Sequence, residues 1–118
     1  MNAEAVVKAQ LDAYNAKDIE AFMACWAKDA EIYSHPDTLL AKGHDDIKAR
    51  HVVRFEEPDL HGRLIRRLCL GDRVVDMECV TRNFPEGIGF LDVVAIYEVT
   101  DKTISKAWFV SGVPRFTP

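Results

Sequence analysis

Basic clusters, cysteines and long apolar runs are all scarce in this chain, and each scarcity excludes something. Lys+Arg number 15 against 19 Asp+Glu, a formal net charge of −4. No lysine-arginine block supplies the basic face that phosphate contacts require, which argues against a nucleic-acid binder. Arg63, Arg66 and Arg67 form the one local cluster and read as solvated strand or rim residues. The 3 cysteines, Cys25, Cys69 and Cys79, are odd in number and lack metal-ligand spacing. They support neither a disulfide framework nor a zinc site and read as small core residues. No apolar run is long enough for a membrane helix, and no charged segment followed by an apolar one marks a signal peptide. The expectation is a cytoplasmic protein with no membrane and no nucleic-acid partner.

What is present is ordinary globular material: 118 residues, 48% hydrophobic and 29% charged. That length predicts one domain over residues 1–118, able to bury roughly two-thirds of its unfolded surface. Val7, Leu11 and Tyr14 share one helical face within residues 3–14, predicting a first helix. Ile19, Phe22, Met23 and Trp26 fall at i, i+3, i+4 and i+7, predicting a second over about residues 19–27 with Asp18 as its N-cap. A strand over about residues 30–34 follows. The segment 35–43, broken by Pro36 and Gly43, reads as a loop, and loops at a pocket mouth often carry its chemistry. A third helix starts near His44 or Asp45, has Asp45 and Asp46 in its first turn, and stops before Pro58; Ile47, His51 and Phe55 share its inner face.

From Leu60 the helical period disappears. Four β-rich runs, 60–70, 73–83, 88–99 and 103–112, are separated by Gly71-Asp72, by Pro85-Glu-Gly87 and by a tight turn at Thr100-Asp101-Lys102. Helices followed by a largely antiparallel sheet is an α+β order. Along 73–83, Val75, Met77 and Cys79 oppose Val74, Asp76, Glu78 and Val80. Along 88–99, Leu91, Val93, Ala95, Tyr97 and Val99 oppose Phe90, Asp92, Val94, Ile96 and Glu98. Both sheet faces are therefore partly apolar, and three helices can cover one of them. A homodimer through the open sheet face covers the other.

The run Asn15-Ala-Lys-Asp18, an apolar-periodic helix, Ala27-Lys-Asp-Ala30 and a short strand ending near Pro36 resembles the nuclear transport factor 2-like superfamily. The nearest likeness is to its ketosteroid isomerase and polyketide cyclase-like (SnoaL-like) branch. Gly43-His-Asp-Asp-Ile47 and the final strand Lys102–Trp108 extend the resemblance over almost the whole chain. It implies a cone-shaped α+β barrel, three N-terminal helices wrapped by a strongly bent, mainly antiparallel sheet around one deep apolar pocket, and it also implies a homodimer.

Candidate site residues are those whose polarity contradicts their surroundings. His51 lies between Ile47 and Phe55 on the inward helix face, and the resemblance puts that position near the pocket; imidazole suits proton transfer near neutral pH. His35 precedes Pro36, where the isomerases carry an aspartate base. Counted from the proline His35 matches that base, and counted from Ala30 Ser34 does, so the carboxylate is absent either way. By the same likeness Gln10 and Ala95 stand where the isomerases place their two oxyanion donors, which argues against steroid isomerase activity. Asp92 is an acid in an otherwise apolar strand; the alternation turns it towards the dimer side, whereas a β-bulge near Gly89 would turn it into the pocket as an acid or base. Tyr14 can offer a hydroxyl, and Trp26, Tyr33, Phe55, Trp108 and Phe109 would line the pocket for a small apolar molecule, Trp108 matching a family wall position. The reading is an enzyme working without metal or organic cofactor, moving a proton on a small apolar carbonyl compound with His35 or His51 as base. The alternative is a non-catalytic carrier of a similar molecule.

Overall fold

The computed structural model describes residues 2–116. Helix α1 (Ala3–Ala16) starts where the Asn2 side-chain oxygen accepts from the Ala5 N–H at 2.8 Å. It ends at Lys17, whose left-handed backbone (φ 55°) turns its N–H back onto the Ala13 and Tyr14 carbonyls. Asp18 then caps α2 (Ile19–Ala24), accepting from the Ala21 N–H at 3.1 Å, as its position predicts. The helical pattern runs on to Ala27, yet the helix stops at Ala24 and Trp26 opens β1 (Trp26–Ser34). The Ile104 N–H captures the Cys25 carbonyl at 2.8 Å and draws this backbone into a sheet. The Trp26 side chain nonetheless stays in the core, 5.8 Å from the Phe22 ring and 6.4 Å from Tyr97.

The segment expected to be a loop contains a strand, β2 (Thr38–Lys42), paired antiparallel with β1. Pro36 and Gly43 flank it and do not interrupt it, so the breakers mark its ends. Helix α3 (His44–Arg54) follows directly and buries Ile47 and His51. A staple holds its start: His44 Nε2 lies 2.9 Å from the Met23 carbonyl and 3.0 Å from that of Trp26.

The four β-rich runs become β3 (His61–Leu70), β4 (Arg73–Phe84), β5 (Gly87–Thr100) and β6 (Thr103–Ser111), with a two-residue β7 (Arg115–Phe116) after them. Asp101 and Lys102 both adopt positive φ (52° and 70°), as a two-residue hairpin loop of the favoured hand requires. The sheet order is β2-β1-β6-β5-β4-β3, and β7 pairs with β5 at Gly89 and Phe90, beyond the end of β6. Among the described residues only β1 and β6 run parallel. Register breaks at Ile32/Tyr33, Leu64/Arg66 and Glu98/Val99 add bend. This is the curved α+β architecture that the resemblance implies, left unclosed between the β2 and β3 edges.

Helix α1 packs on β3, β4, β5 and β6, and α3 on β1 and β2, around a core of Val6, Val7, Phe22, Ile32, Ile47, Val74 and Ile104. Among the described residues no helix covers the opposite sheet face. Met77 and Val110 stand 48% and 44% exposed on it, beside Val75, Val94, Ile96 and Trp108. No helix among the described residues is long and apolar enough to cross a membrane. One arginine of the expected rim cluster has a different place. Arg67 makes a two-pronged ion pair with the fully buried Asp76, at 2.7 and 2.9 Å, because the two residues are direct cross-strand partners in the β3–β4 ladder.

Candidate functional site

Between the helices and the inner sheet face lies a cavity of about 280 Å³, near the lower end, roughly 300 Å³, of small-molecule sites. Strand alternation decides which side chains reach it. β4 turns Glu78, Val80 and Arg82 inward, β5 Leu91, Val93 and Tyr97, and β6 Phe109 and Ser111. Helix α1 adds Gln10, Leu11 and Tyr14, α3 adds Arg50, His51 and Arg54, and β1 and β2 add Ile32, Ser34 and Leu40. The lining is mixed: an apolar strip of Leu, Ile, Val and Phe side chains, with ionisable groups above and below it.

Glu78 is the most unusual of these groups. It is 6% exposed, and among the described residues no basic side chain pairs with it. Burial raises its carboxyl pKa, the neighbouring charge of Asp76 raises it further, Arg67 offsets part of this, and the result is about 7 against an ordinary 4.5. Asp76 and Glu78 sit two residues apart on one face; Arg67 pairs with Asp76 alone, and Glu78 is pushed towards neutrality. Gly62 makes room for it. A Cβ there would stand 3.0 Å from Glu78 Oε1 and 3.1 Å from Leu11 Cδ1, and Asn15 holds the glycine in place with paired hydrogen bonds of 2.8 and 2.9 Å to its backbone.

His51 is the second ionisable group. Its Nδ1 lies 2.8 Å from the Ile47 carbonyl, which requires the proton on Nδ1 and leaves Nε2 as an acceptor without a partner among the described residues. The ring packs 4.5 Å from Phe22 and 6.1 Å from Phe55. Burial lowers its pKa to about 4, with Arg54 and Arg50 acting in the same direction against the Ile47 hydrogen bond, so the imidazole is neutral at pH 7. Tyr14, 5.5 Å from the Phe55 ring, presents a hydroxyl whose pKa burial raises, so it stays a donor. Tyr97 is likewise held protonated by burial, beside the Gln10 amide.

Three arginines make up the remaining wall. Arg82 forms a two-pronged pair with Glu57, at 2.9 and 2.7 Å, and Arg54 reaches the same carboxylate at 3.7 Å. Burial pushes the Glu57 carboxyl up, but Arg82, the Asn83 N–H and Arg54 together outweigh it and hold its pKa below the ordinary value. Among the described residues no three His, Cys, Asp or Glu side chains cluster as a metal ion requires.

A family model for the SnoaL-like domain matches residues 7–107. The chain belongs to the SnoaL-like family. No curated protein matches it. Among solved structures, an uncharacterized cystatin-fold protein from Novosphingobium aromaticivorans is similar at 24% identity and TM-score 0.86, covering 93% of this chain and 98% of the other. A protein with a ketosteroid isomerase-like fold from Catenulispora acidiphila, solved with trimethylamine, is 13% identical at TM-score 0.76, covering 88% and 82%. A protein designated a SnoaL-like polyketide cyclase from Shewanella denitrificans is 12% identical at TM-score 0.82, covering 93% and 90%. At these identities the likeness shows the fold.

Within this SnoaL-like domain the residues singled out from sequence separate cleanly. His51 and Tyr14 line the cavity. His35 does not: it is exposed past the end of β1, its N–H bonded to the Phe109 carbonyl at 2.9 Å, while its neighbour Ser34 faces inward. The two histidines therefore form no pair. Asp92 shares the outer face with Phe90 and Val94, because the β4–β5 register runs without a bulge from Gly87 to Glu98, and it pairs there with Arg115. Tyr33 and Trp108, expected to line the pocket, are instead register partners stacked 6.0 Å apart on the outer face, whereas Phe109, expected from sequence to line the pocket beside Trp108, does so. Trp26 and Phe55 pack behind the lining. Sequence reasoning missed Glu78 and the arginines. The signal was two acids in one alternating set with Val74 and Val80, but nothing in that pattern says which face turns inward when both are partly apolar.

Proposed function

We infer that this SnoaL-like domain binds a small ring-bearing carbonyl compound in its cavity and moves a proton on it, with Glu78 as the acid and base. The observation that carries this reading is a buried carboxyl opening onto the cavity with no cation paired to it among the described residues, poised to give and take a proton near neutral pH. Neutral His51 supports the step as an acceptor through Nε2, and the Tyr14 hydroxyl is a donor for the developing oxyanion. Leu91, Val93 and Phe109 supply the apolar bed for the ring.

A second reading, binding without turnover, is favoured by Gln10 and by Ala95, which is fully buried and has no donor to offer at its position. The test is exchange of the α-protons of 2-tetralone in D2O, followed by NMR. Exchange above buffer that falls on the order of a hundredfold or more in Glu78→Gln supports proton transfer; bound 2-tetralone without exchange supports the carrier. The apolar outer face carrying Met77, Val94, Trp108 and Val110 supports a homodimer through that face, which light scattering tests: a monomer at all concentrations sinks it.

A further inference from the structure

One wall of the cavity carries more positive charge than the protein itself neutralises. Arg50, Arg54 and Arg82 all line it, and among the described residues Glu57 is the single carboxylate in contact with them, already held from two sides by Arg82. Arg50 has no carboxylate partner among the described residues. It stands one helical turn from Arg54, on the same face of α3. Like charges gathered with one shared counterion repel, and an incoming anion relieves that repulsion. Arg50 is exposed on its solvent side and stays charged; partial desolvation, and after it the charges of Arg54 and Arg82, lower its pKa from the ordinary value.

The arginines and the candidate acid also sit at opposite ends. Arg82 and Glu78 are four residues apart on the inner face of β4 with Val80 between them, roughly 13 Å at about 3.3 Å per residue. Val80 and its register partner Leu91 occupy the interval.

We propose that Arg50 and Arg54, backed by Arg82, form a carboxylate subsite, so that the ligand is a ring compound bearing a carboxylate at the end remote from the carbon facing Glu78. The proposal rests on reading this cavity as the ligand site. It goes further in fixing the ligand's charge and its direction in the cavity. Guanidinium groups suit a planar carboxylate, which accepts two parallel N–H donors at once.

The probes are 2-naphthoate and 2-naphthamide, matched in shape and differing in charge, titrated calorimetrically into the whole protein at low salt. The carboxylate is expected to bind tighter than the amide by on the order of tenfold or more, a preference that shrinks as salt is added. The preference is expected to collapse towards one in Arg50→Gln and in the Arg50→Gln/Arg54→Gln double variant, while Arg50→Lys retains part of it. Arg50 holds no structural partner among the described residues, so the single variant keeps its fold, which circular dichroism checks. Equal affinity for the two probes, no 2-naphthoate binding at millimolar concentration, or a preference that Arg50→Gln leaves intact would overturn the subsite. Repeating the titration in Glu78→Gln separates this proposal from the proton-transfer reading. A surviving carboxylate preference beside 2-tetralone exchange that ignores Glu78 sinks the chemistry alone; lost preference with Glu78-dependent exchange sinks the subsite alone.

Discussion

Replacing Glu78 by Gln removes a carboxyl that the fold holds near neutrality, and its effect on stability must depend on pH. A rise from 4.5 to about 7, at about 1.36 kcal/mol per pKa unit, corresponds to roughly 3 kcal/mol. The folded state binds the proton more strongly than the unfolded chain between those values. Wild-type stability from this group is therefore fully present below pH 4.5 and is lost as pH rises through 7, where the buried carboxylate must ionise. The amide of Glu78→Gln carries no such charge. The variant is expected to gain on the wild type by up to about 3 kcal/mol between pH 4.5 and pH 8, whatever constant offset the amide brings. For a domain of this size, that corresponds to roughly 10 °C or more in Tm. Urea denaturation of both proteins at pH 4.5, 6 and 8 measures it. A stability difference that is the same at all three values would mean that Glu78 titrates as an ordinary surface acid, and the argument from Asp76, Arg67 and burial would be refuted.

His51 gives the mirror image. Its folded value of about 4 lies below the ordinary 6.5, so it costs roughly 3 kcal/mol as pH falls from 6.5 to 4; His51→Phe is expected to recover that loss on acidification, read from the same denaturation series. Between pH 4.5 and 6.5 the two slopes oppose each other, so the contribution of this pair to wild-type stability is expected to be nearly flat there. Arg67→Met leaves the fully buried Asp76 charge unpaired and is expected to destabilise by about 3–5 kcal/mol, visible as a shifted urea midpoint. Asp92→Asn, on the exposed outer face, is expected to change stability by less than about 1 kcal/mol and leave 2-tetralone exchange unaltered; a large loss of exchange would place Asp92 in the chemistry after all.

Three helices ahead of four long strands, the Asp18 cap and the α3 start were legible in the sequence because each rests on local chemistry. Periodicity, a capping side chain and a two-residue turn act within a few residues of the chain. His51 was legible for the same reason, as a polar group on an apolar helix face. What the sequence left open depends on partners far along the chain. Trp26 belongs by spacing to a helix, and the Ile104 N–H, near the other end of the chain, draws its backbone into β1. The β2 strand exists because β1 offers it an edge.

The site was decided at the same level. Strand alternation sorted Glu78 from Met77 and Leu91 from Asp92 into two sets and turned Asp92 towards the outer face, where it lies, but both sets contain apolar residues, so on β4 the order alone did not point to Glu78, and it did not separate Phe109 from Trp108. The choice came from packing α1 and α3 against one side of a bent sheet. That step buried Glu78 beside an already paired Asp76 and gathered three arginines at the other end of β4. The sequence by itself determined the SnoaL-like fold and two ionisable groups of its cavity, Tyr14 and His51. Tertiary structure decided which acid faces the cavity, because a pKa and a charge excess are properties of neighbours in space.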